Sequence, residues 1–522
     1  MGKNSSFSFK SIEELTKLRT PDLENRIKIF WEQQDKFRNH PLLTELPNPD
    51  THNMSELATN NVKEAVKLIQ KIDIKAITKM LEYLPEMEKL QKDAENTLKS
   101  GNKIYICGCG ASGRLAVALE YLWKSYNPFD RKDSLIGFLA GGDSAMIKSL
   151  EGFEDHKDFG IRQLYQAGFK DGDLLLSATA SGESPFCIGA AEEAAKTSVE
   201  PYFIHCNTND ALKGRIKDHP IFNSRIKNIG LYTGPMALSG STRMQATTAL
   251  MIGMGMPLIS KNIRNELEDF LEFFKSFDMN PIDEIIIAES AAYKNKEFIL
   301  YETQPCYGIT TLTDTTERSP TFNLIPFENQ IDSNKKPSTC YIIFKEAETA
   351  QEAWKLLLGR APKTLDWSDE TNLNRLMGFD FSKNLALFRT KYAPTKHIFK
   401  VSRNENNDIN LEFDRIRFSF SIKKLSPIFE QLLLKLILNT SSTLVMGRLG
   451  LYDGNIMTSL YPSNSKLIDR AIRYIDFILK MKHKMEMKYE DIADKMFKEL
   501  EVLQPGESIV NKTVAVILQN RK

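Results

Sequence analysis

Five short apolar segments, each separated from the next by a helix-like stretch or a loop, constrain the fold of this chain more than any other feature. Continuous apolar runs that alternate with helices are typical of a parallel sheet covered on both faces. The pattern therefore predicts a doubly wound α/β domain with five parallel strands. The five segments are KIYICGCG (103–110), LIGFLAGG (135–142), DLLLSATA (173–180), EPYFIHCN (200–207) and NIGLYTG (228–234).

A second set of β-rich segments predicts a second unit of the same kind. A helical stretch at 348–359 lies among these segments, and another at 241–277 separates the two sets. The two sets together indicate a duplicated α/β unit. The second set consists of CYGITTL (306–312), TFNLIPF (321–327), TCYIIFK (339–345), HIFKVS (397–402) and IRFSFSI (416–422).

Both ends of the chain are expected to be helical. Apolar residues recur every three or four positions from 54 to 100, and shorter helix-like pieces precede them near 11–18 and 22–38. A helical, charged segment occupies 465–522. We therefore predict four parts: a helical arm at 1–100, a first α/β domain at 101–262, a second α/β domain at 263–450 and a helical cap at 451–522.

Composition and charge exclude several classes of protein. A hydrophobic share of 42% and a charged share of 26% are ordinary globular values, and the net charge of +1 argues against a nucleic-acid protein held by a general positive field. No apolar run approaches the ~20 residues that span a bilayer, and residues 1–20 lack a secretory apolar region. The six cysteines have no zinc-type spacing. We expect a cytoplasmic protein with no membrane, nucleic-acid or metal partner.

Three turns rich in serine and glycine follow predicted strands: GCGASG (108–113), ATASGESP (178–185) and LSGSTR (238–243). A single turn of this kind is ordinary helix capping. Because ligands of parallel sheets bind beyond the carboxyl ends of the strands, three such turns indicate one shared anion site. The candidate binding residues are Gly110, Ala111, Ser112, Gly113, Ser181, Gly182, Ser184, Ser241 and Thr242.

Two interpretations of these turns as nucleotide-binding sites have less support than a site for one phosphate group. GCGASG spells a dinucleotide fingerprint, but the next acidic residue of the right kind, Asp143, lies 30 residues beyond Gly113. No GxxxxGK[ST] segment exists in the chain, which argues against a P-loop kinase. Serine and glycine donors without a lysine favour a single phosphate on a sugar, so we expect no cofactor.

An acidic segment, SLEGFEDH (149–156), follows the second predicted strand. It can be a solvated acidic turn, or one of its carboxylates can point into the phosphate site as a base. A general base must lie within reach of the proton that it removes. Glu154 is our candidate base.

The segments GCGASGR, AGGDSAM, EGFED, ASGESP and SGSTRM, in this order and at this spacing, resemble the sugar-isomerase (SIS) domain family. They are most similar to N-acetylmuramic acid 6-phosphate etherases and to the related glucokinase regulatory protein. The resemblance runs from about 54 to 260. It continues more weakly in DTTERSPTF (314–322), LKLILNTSST (434–443) and SNSKLIDRA (463–471). The length matches the two-domain regulatory protein, whose second SIS domain is followed by a helical lid.

The resemblance implies that the two repeats divide one site. It makes Glu154 the base and Glu317, in DTTERSPTF, the acid, because the acid position of the first repeat holds Leu122. The family's lysine is Lys435 in the second repeat and Met251 in the first. The second repeat has TQPCYGI (303–309) instead of a phosphate loop, so one composite site is expected.

Three positions depart from the etherase pattern: Ala111 replaces a threonine, Glu183 an arginine and Met236 a glutamate. Because of these departures, the sequence does not decide which sugar 6-phosphate is the substrate. We expect a lyase that cleaves the lactyl ether of N-acetylmuramic acid 6-phosphate. The alternatives are a non-catalytic fructose 6-phosphate sensor with a sugar-kinase partner, and an aldose–ketose isomerase.

Overall fold

A computed structural model describes residues 22–126, 129–150, 152–216, 218–462, 464–504 and 507–519. Within these ranges, no helix is long and apolar enough to cross a membrane. The helix expected near 11–18 lies outside the described residues, whereas the piece expected at 22–38 is the helix Leu23–Asn39.

The first sheet has the predicted five strands, all parallel, in the order β2-β1-β3-β4-β5. Side chains alternate across it, so that Ile104 and Ile106 enter one core layer while Tyr105 and Cys107 enter the other. The carboxyl ends of β1, β2 and β3 therefore meet at one edge. The strands are β1 Ile104–Gly108, β2 Leu135–Leu139, β3 Leu174–Thr179, β4 Tyr202–His205 and β5 Lys227–Gly230.

The second sheet is mixed, in the order β10-β9-β8-β6-β7. Strands β7, β6 and β8 are parallel, whereas β9 and β10 add an antiparallel hairpin. The hairpin turns at Asp414, whose φ is +52°. The strands are β6 Phe298–Thr303, β7 Cys340–Ile343, β8 Thr395–Arg403, β9 Asp408–Phe413 and β10 Ile416–Ser421.

Two strands predicted for this sheet are wrong. CYGITTL and TFNLIPF contribute to the 15-residue helix Gly308–Phe322 and its flanks instead. Threonine in this helix satisfies its hydroxyl locally, because Thr315 Oγ1 donates to the carbonyl of Thr311 and Thr316 Oγ1 to that of Leu312. Tertiary packing overrides the strand preference of these β-branched residues.

Helices cover both sheets and form the two ends of the chain. The stretch expected at 241–277 is two helical runs separated at 260–262, and the first run contains the π-helical segment Met251–Gly255 between Gln245–Leu250 and Met256–Ile259. The α-helices are Leu23–Asn39, Met54–Asn60, Val62–Met80, Leu84–Lys99, Gly110–Tyr126, Lys157–Gln166, Pro185–Ala194, Asn209–Arg215, Gln245–Leu250, Met256–Ile259, Ile263–Ser276, Asp283–Lys294, Gly308–Phe322, Ala350–Leu358, Leu373–Met377, Lys383–Arg389, Pro427–Arg448, Ser465–His483, Tyr489–Glu501 and Ile509–Gln519.

One hydrophobic core runs through both repeats and the helical ends. The helix Pro427–Arg448 of the second repeat packs on Met54–Asn60 and Val62–Met80 of the arm, and Ser465–His483 of the cap packs on Leu23–Asn39. This packing holds arm and cap against the repeats. The four-part division at 100, 262 and 450 stays a prediction, because a continuous core marks no boundary between folding units.

Candidate functional site

A cavity of about 290 Å³ lies beyond the carboxyl ends of β1, β2 and β3. All parts of the chain contribute to its wall: the arm, both repeats and the cap. Eight of the predicted site residues line it, namely Gly110, Ala111, Ser112, Glu154, Ser181, Ser241, Thr242 and Glu317.

The turn after β1 presents a helix N-terminus to this cavity. β1 ends at Gly108, and the 17-residue helix begins at Gly110, whose φ of +50° favours glycine. The first N–H groups of an α-helix have no partner within the helix. The backbone of Gly110, Ala111 and Ser112 is therefore suited to bind an anion such as a phosphate.

Hydroxyl groups from the other two turns face the same cavity. Ser181 Oγ accepts a hydrogen bond from the amide of Glu183 at 3.2 Å and shares another with the hydroxyl of Thr179 at 3.3 Å. Ser241 is buried, and its Oγ has no hydrogen-bond partner among the described residues. A buried hydroxyl without a partner is costly, so a ligand oxygen at this place would satisfy Ser241.

The cap contributes residues that the sequence reasoning did not assign. Asn464, at the N-terminus of the helix Ser465–His483, lines the cavity together with Lys466, Leu467 and Arg470. Arg470 is paired with Glu45 of the arm, whereas Lys466 has no ion pair within the described ranges. The signal was present in SNSKLIDRA, where a capping asparagine precedes two basic residues four positions apart.

The two predicted catalytic carboxylates come from different repeats and line this one cavity. Glu154 lies in the turn before the helix Lys157–Gln166, and its carbonyl accepts a hydrogen bond from Phe186 at 3.0 Å. Glu317 lies on the helix Gly308–Phe322 and forms a buried ion pair with Arg114 of the first repeat. The predicted convergence of the two repeats on one cleft is therefore present, although the roles of these residues stay predictions.

A second buried ion pair joins the repeats beside Glu317. Arg243 donates to Asp314 at 2.8 Å and to the hydroxyls of Ser442 and Thr443. Burial raises the pKa of Asp314, but Arg318 and Arg243 outweigh this effect and hold it below the ordinary value of 3.8. Removing one partner of a buried ion pair strongly destabilises a protein. Because Asp314 lies on the same helix as Glu317, its pair with Arg243 holds that helix, and with it Glu317, against the first repeat.

Three of the predicted turn residues do not reach the cavity wall. A Cβ at Gly113 would lie 2.4 Å from the Cβ of Leu139, so this glycine serves close packing of helix on strand. Gly182 has a φ of +85°, and its carbonyl contacts His219 at 3.1 Å. Ser184 is buried behind the turn, with its Oγ 3.2 Å from the Sγ of Cys109.

Lys435 is also placed elsewhere. Its Nζ donates to the carbonyl of Met244 at 3.1 Å and to the hydroxyl of Thr248 at 2.9 Å, and it lines a separate cavity of about 50 Å³ between the repeats. Burial lowers the pKa of Lys435 to about 7, partly opposed by Asp73. Lys435 therefore does not line the cavity that Glu154 lines, although the two cavities share Ala111 and Arg243 in their walls; the expectation that Lys435 lies near the same site stays a prediction.

Two of the departures from the etherase pattern lie away from the cavity wall. Glu183 forms a buried ion pair with Arg215 at 2.6 Å, and Met236 is in the core, where its sulfur accepts a hydrogen bond from Ala246. Ala111 alone among the three lines the cavity. Within the described ranges, no group of three or more metal-ligating side chains could hold a metal ion.

Comparison with known proteins finds relatives of this chain. The sequence profile described as the glucokinase regulatory protein N-terminal SIS domain matches residues 85–194. An N-acetylmuramic acid 6-phosphate etherase of Lactococcus lactis is 32% identical over 217 residues, which are 41% of this chain and 68% of that protein. The chain belongs to the N-acetylmuramic acid 6-phosphate etherase family.

Other members of this etherase family match over a smaller share of their length. The Bacillus licheniformis etherase 1 is 33% identical over 186 residues, which are 36% of this chain and 58% of that protein. The Bacillus subtilis etherase is 32% identical over 40% of this chain and 65% of its own length. The chain thus spans less than two thirds of these two relatives.

Among solved structures, the tagatose-6-phosphate ketose/aldose isomerase from Escherichia coli matches 78% of this chain and 96% of its own. Its sequence identity is 11% and its TM-score 0.42.

Proposed function

We propose that this protein is a carbon–oxygen lyase that cleaves the lactyl ether of N-acetylmuramic acid 6-phosphate. The observation that carries the proposal is the joint placement of Glu154 and Glu317 on the cavity that also holds the three serine turns. The family relationship to etherases supports it. The phosphate would bind at the helix N-terminus around Ser112, together with Ser181 and Ser241.

In this mechanism the two carboxylates have opposite tasks. Glu154 removes the proton from C2 of the sugar. The bond between C3 and the ether oxygen breaks, a double bond forms between C2 and C3, and Glu317 delivers its proton to the departing lactyl oxygen. Water then adds to the unsaturated sugar. One residue type can supply both acid and base when the environments differ.

The environments do differ. Glu154 is half-buried in a turn that also exposes Asp155, whereas Glu317 is buried and paired with Arg114. In the proposed acid role, the carboxyl group of Glu317 would turn from Arg114 towards the ether oxygen of the bound substrate.

Release of lactate from N-acetylmuramic acid 6-phosphate tests the proposal. The protein should release lactate, and Glu317→Gln should slow the release far more than it weakens binding of the substrate in isothermal titration. The absence of lactate release by folded protein at millimolar substrate would overturn the lyase assignment.

A second candidate is a non-catalytic sensor that binds fructose 6-phosphate and regulates a sugar kinase. The specific observation in its favour is the match of the regulatory-protein SIS profile to the repeat that carries the serine turns. Tight binding of fructose 6-phosphate in titration, together with no turnover of the etherase substrate, would favour this candidate.

A further inference from the structure

A segment of the second repeat lies across the first repeat. This segment, 359–371, which we call the strap, leaves the helix Ala350–Leu358 at Gly359. Gly359 has a φ of +63°, and a Cβ there would lie 3.1 Å from the ring of Tyr121 in the first repeat. Only glycine suits this conformation at such close approach, so the chain is directed onto the first repeat from the start of the strap.

Ion pairs anchor the first half of the strap. Arg360 donates two hydrogen bonds to the carboxylate of Asp143, at 2.6 and 3.0 Å, and a third to Glu120 at 2.9 Å. Lys363 donates to Glu120 at 2.8 Å. Burial disfavours the charge on Glu120, but Arg360 and Lys363 outweigh it and hold its pKa below the ordinary value. A bidentate pair of this kind fixes orientation as well as distance.

The backbone adds a two-way contact at the same place. The amide of Asp143 donates to the carbonyl of Lys363 at 3.0 Å, and the amide of Lys363 donates to the side chain of Asp143 at 2.6 Å. Asp143 lies in the turn after β2, on the path to the segment that carries Glu154. The strap is thus attached to the loop region of the proposed base.

The second half of the strap inserts Trp367 into an aromatic cluster of the first repeat. The Trp367 ring is stacked on Phe153, with ring centres 6.0 Å apart and planes 15° apart, and is 5.5 Å from Phe159. The guanidinium of Arg162 lies 4.4 Å from its ring centre, and its Nε1 donates to Gln166 at 2.9 Å. Trp367 is only 5% exposed.

Phe153 is the residue immediately before Glu154. A ring held between Trp367 and Phe159 restricts the backbone of Phe153, and the hydrogen bond from Phe186 to the carbonyl of Glu154 restricts the other side. A displacement of about 1 Å at a catalytic group can cost about 10²-fold in rate. The position of Glu154 therefore depends on a side chain of the other repeat.

We propose that Trp367 is a positioning residue for Glu154 and that the strap couples the second repeat to proton removal at the first. This inference rests on the proposed function of Glu154. It assigns to the second repeat a contribution to the base, in addition to the acid that Glu317 would supply.

The test compares Trp367→Leu, which keeps an apolar side chain, with Trp367→Phe, which keeps a ring for stacking on Phe153. Solvent deuterium incorporation at C2 of N-acetylmuramic acid 6-phosphate reports proton removal, and isothermal titration reports binding. We expect Trp367→Leu to lower the exchange rate about ten- to a hundredfold with affinity changed by less than about threefold, and Trp367→Phe to restore most of the rate.

Trp31→Leu is the matched control, because Trp31 packs in a separate aromatic cluster with Phe30 and Phe497. It should lower the melting temperature without a selective loss of exchange. An unchanged exchange rate in Trp367→Leu, or an equal loss in Trp31→Leu, would overturn the proposal.

A readout independent of activity separates failure of the inference from failure of the proposed function. Backbone amide exchange of residues 152–156, followed by mass spectrometry, should be faster in Trp367→Leu than in the parent and in Trp31→Leu. If the parent protein does not turn over the substrate, the lyase assignment fails while this readout still decides the positioning. Unchanged protection of 152–156 would overturn the inference.

Discussion

At the carboxyl edge of each sheet, a turn joins a strand to a helix, but the side chains in the two turns differ. After β1, Gly110 and Ser112 leave space for a ligand at a helix N-terminus. After β6, Tyr307 is buried, and its hydroxyl donates to Glu430 at 2.8 Å and accepts a hydrogen bond from Arg403 at 3.0 Å. The same succession of strand, turn and helix thus presents serine and glycine to a cavity in the first repeat and a hydrogen-bonded tyrosine in the second.

One site can need two repeats when each repeat supplies different residues to it. The turn after β6 does not line the cavity of the serine turns, but the helix Gly308–Phe322 that follows it projects Glu317 into that cavity. One repeat can therefore supply the binding turns while the other supplies a side chain to the same cavity. The strap extends the same relation to Glu154.

The largest expected effect is on proton removal from the substrate. It should distinguish a glutamate at the carboxyl edge of the first sheet from one at the carboxyl edge of the second sheet. Glu154→Gln should lower solvent deuterium incorporation at C2 by about 10²–10⁴-fold, because a general base contributes about that much. Glu302→Gln is the control, since Glu302 lies at the carboxyl end of β6 and pairs with Lys345 outside the cavity. Equal losses in the two variants, or full exchange in Glu154→Gln, would contradict the assignment.

Acid stability should distinguish the two sheets. Burial lowers the pKa of His205, at the end of β4, to about 4 from the ordinary 6.5. The unfolded chain therefore binds a proton that the folded chain does not, and the free energy of unfolding falls by at most about 3 kcal/mol as the pH drops from about 6.5 to 4. Denaturant unfolding across this range should lose that slope in His205→Gln.

His397, near the start of β8 in the second sheet, should behave in the opposite way. Burial lowers its pKa, but hydrogen bonds to Asp414 and Glu297 outweigh burial and raise it. Its contribution to stability is complete below pH 6.5 and is lost as the pH rises through the raised pKa. His397→Gln should therefore keep the acid slope that His205→Gln loses. The same slope in both variants would contradict the contrast.

Affinity for a sugar 6-phosphate should depend on the turn after β1 and not on the turn after β6. Ser112→Ala should weaken binding by about 1.5–3 kcal/mol, the value of a charge-assisted hydrogen bond, or about ten- to a hundredfold. Tyr307→Phe should leave affinity unchanged. Isothermal titration measures both, and an unaltered affinity in Ser112→Ala would remove the phosphate from this turn.

The smallest effect concerns the cap. Lys466→Met should weaken binding by up to about 1 kcal/mol, about fivefold, with a loss that shrinks as salt is added, because a partly exposed charge is screened. Lys480→Met, on the same helix and paired with Asp476, should have no effect. A loss that does not vary with salt would show that Lys466 does not act through its charge.

Parts of the site could be predicted from the sequence because they lie in short, recognisable segments. The serine turns and Glu154 lie in segments of a few residues whose spacing identifies them, and the strands of the first sheet are continuous apolar runs. The second sheet was harder, since β9 alternates buried and half-buried residues and the threonines before Glu317 look strand-like. The contacts of Lys435 with Met244 and Thr248 were not predicted, because no local pattern shows which neighbour its helix packs against.

The sequence by itself determined that the chain folds as duplicated α/β units with three serine turns at one sheet edge. Only the tertiary structure decided that Glu317 crosses to Arg114, that Lys466 of the cap joins the cavity, and that Trp367 packs on Phe153. The physical reason is the distance along the chain over which each kind of interaction acts. Side-chain periodicity and turn chemistry act within a few residues, whereas these contacts join residues about 200 to 350 positions apart and depend on how whole elements pack.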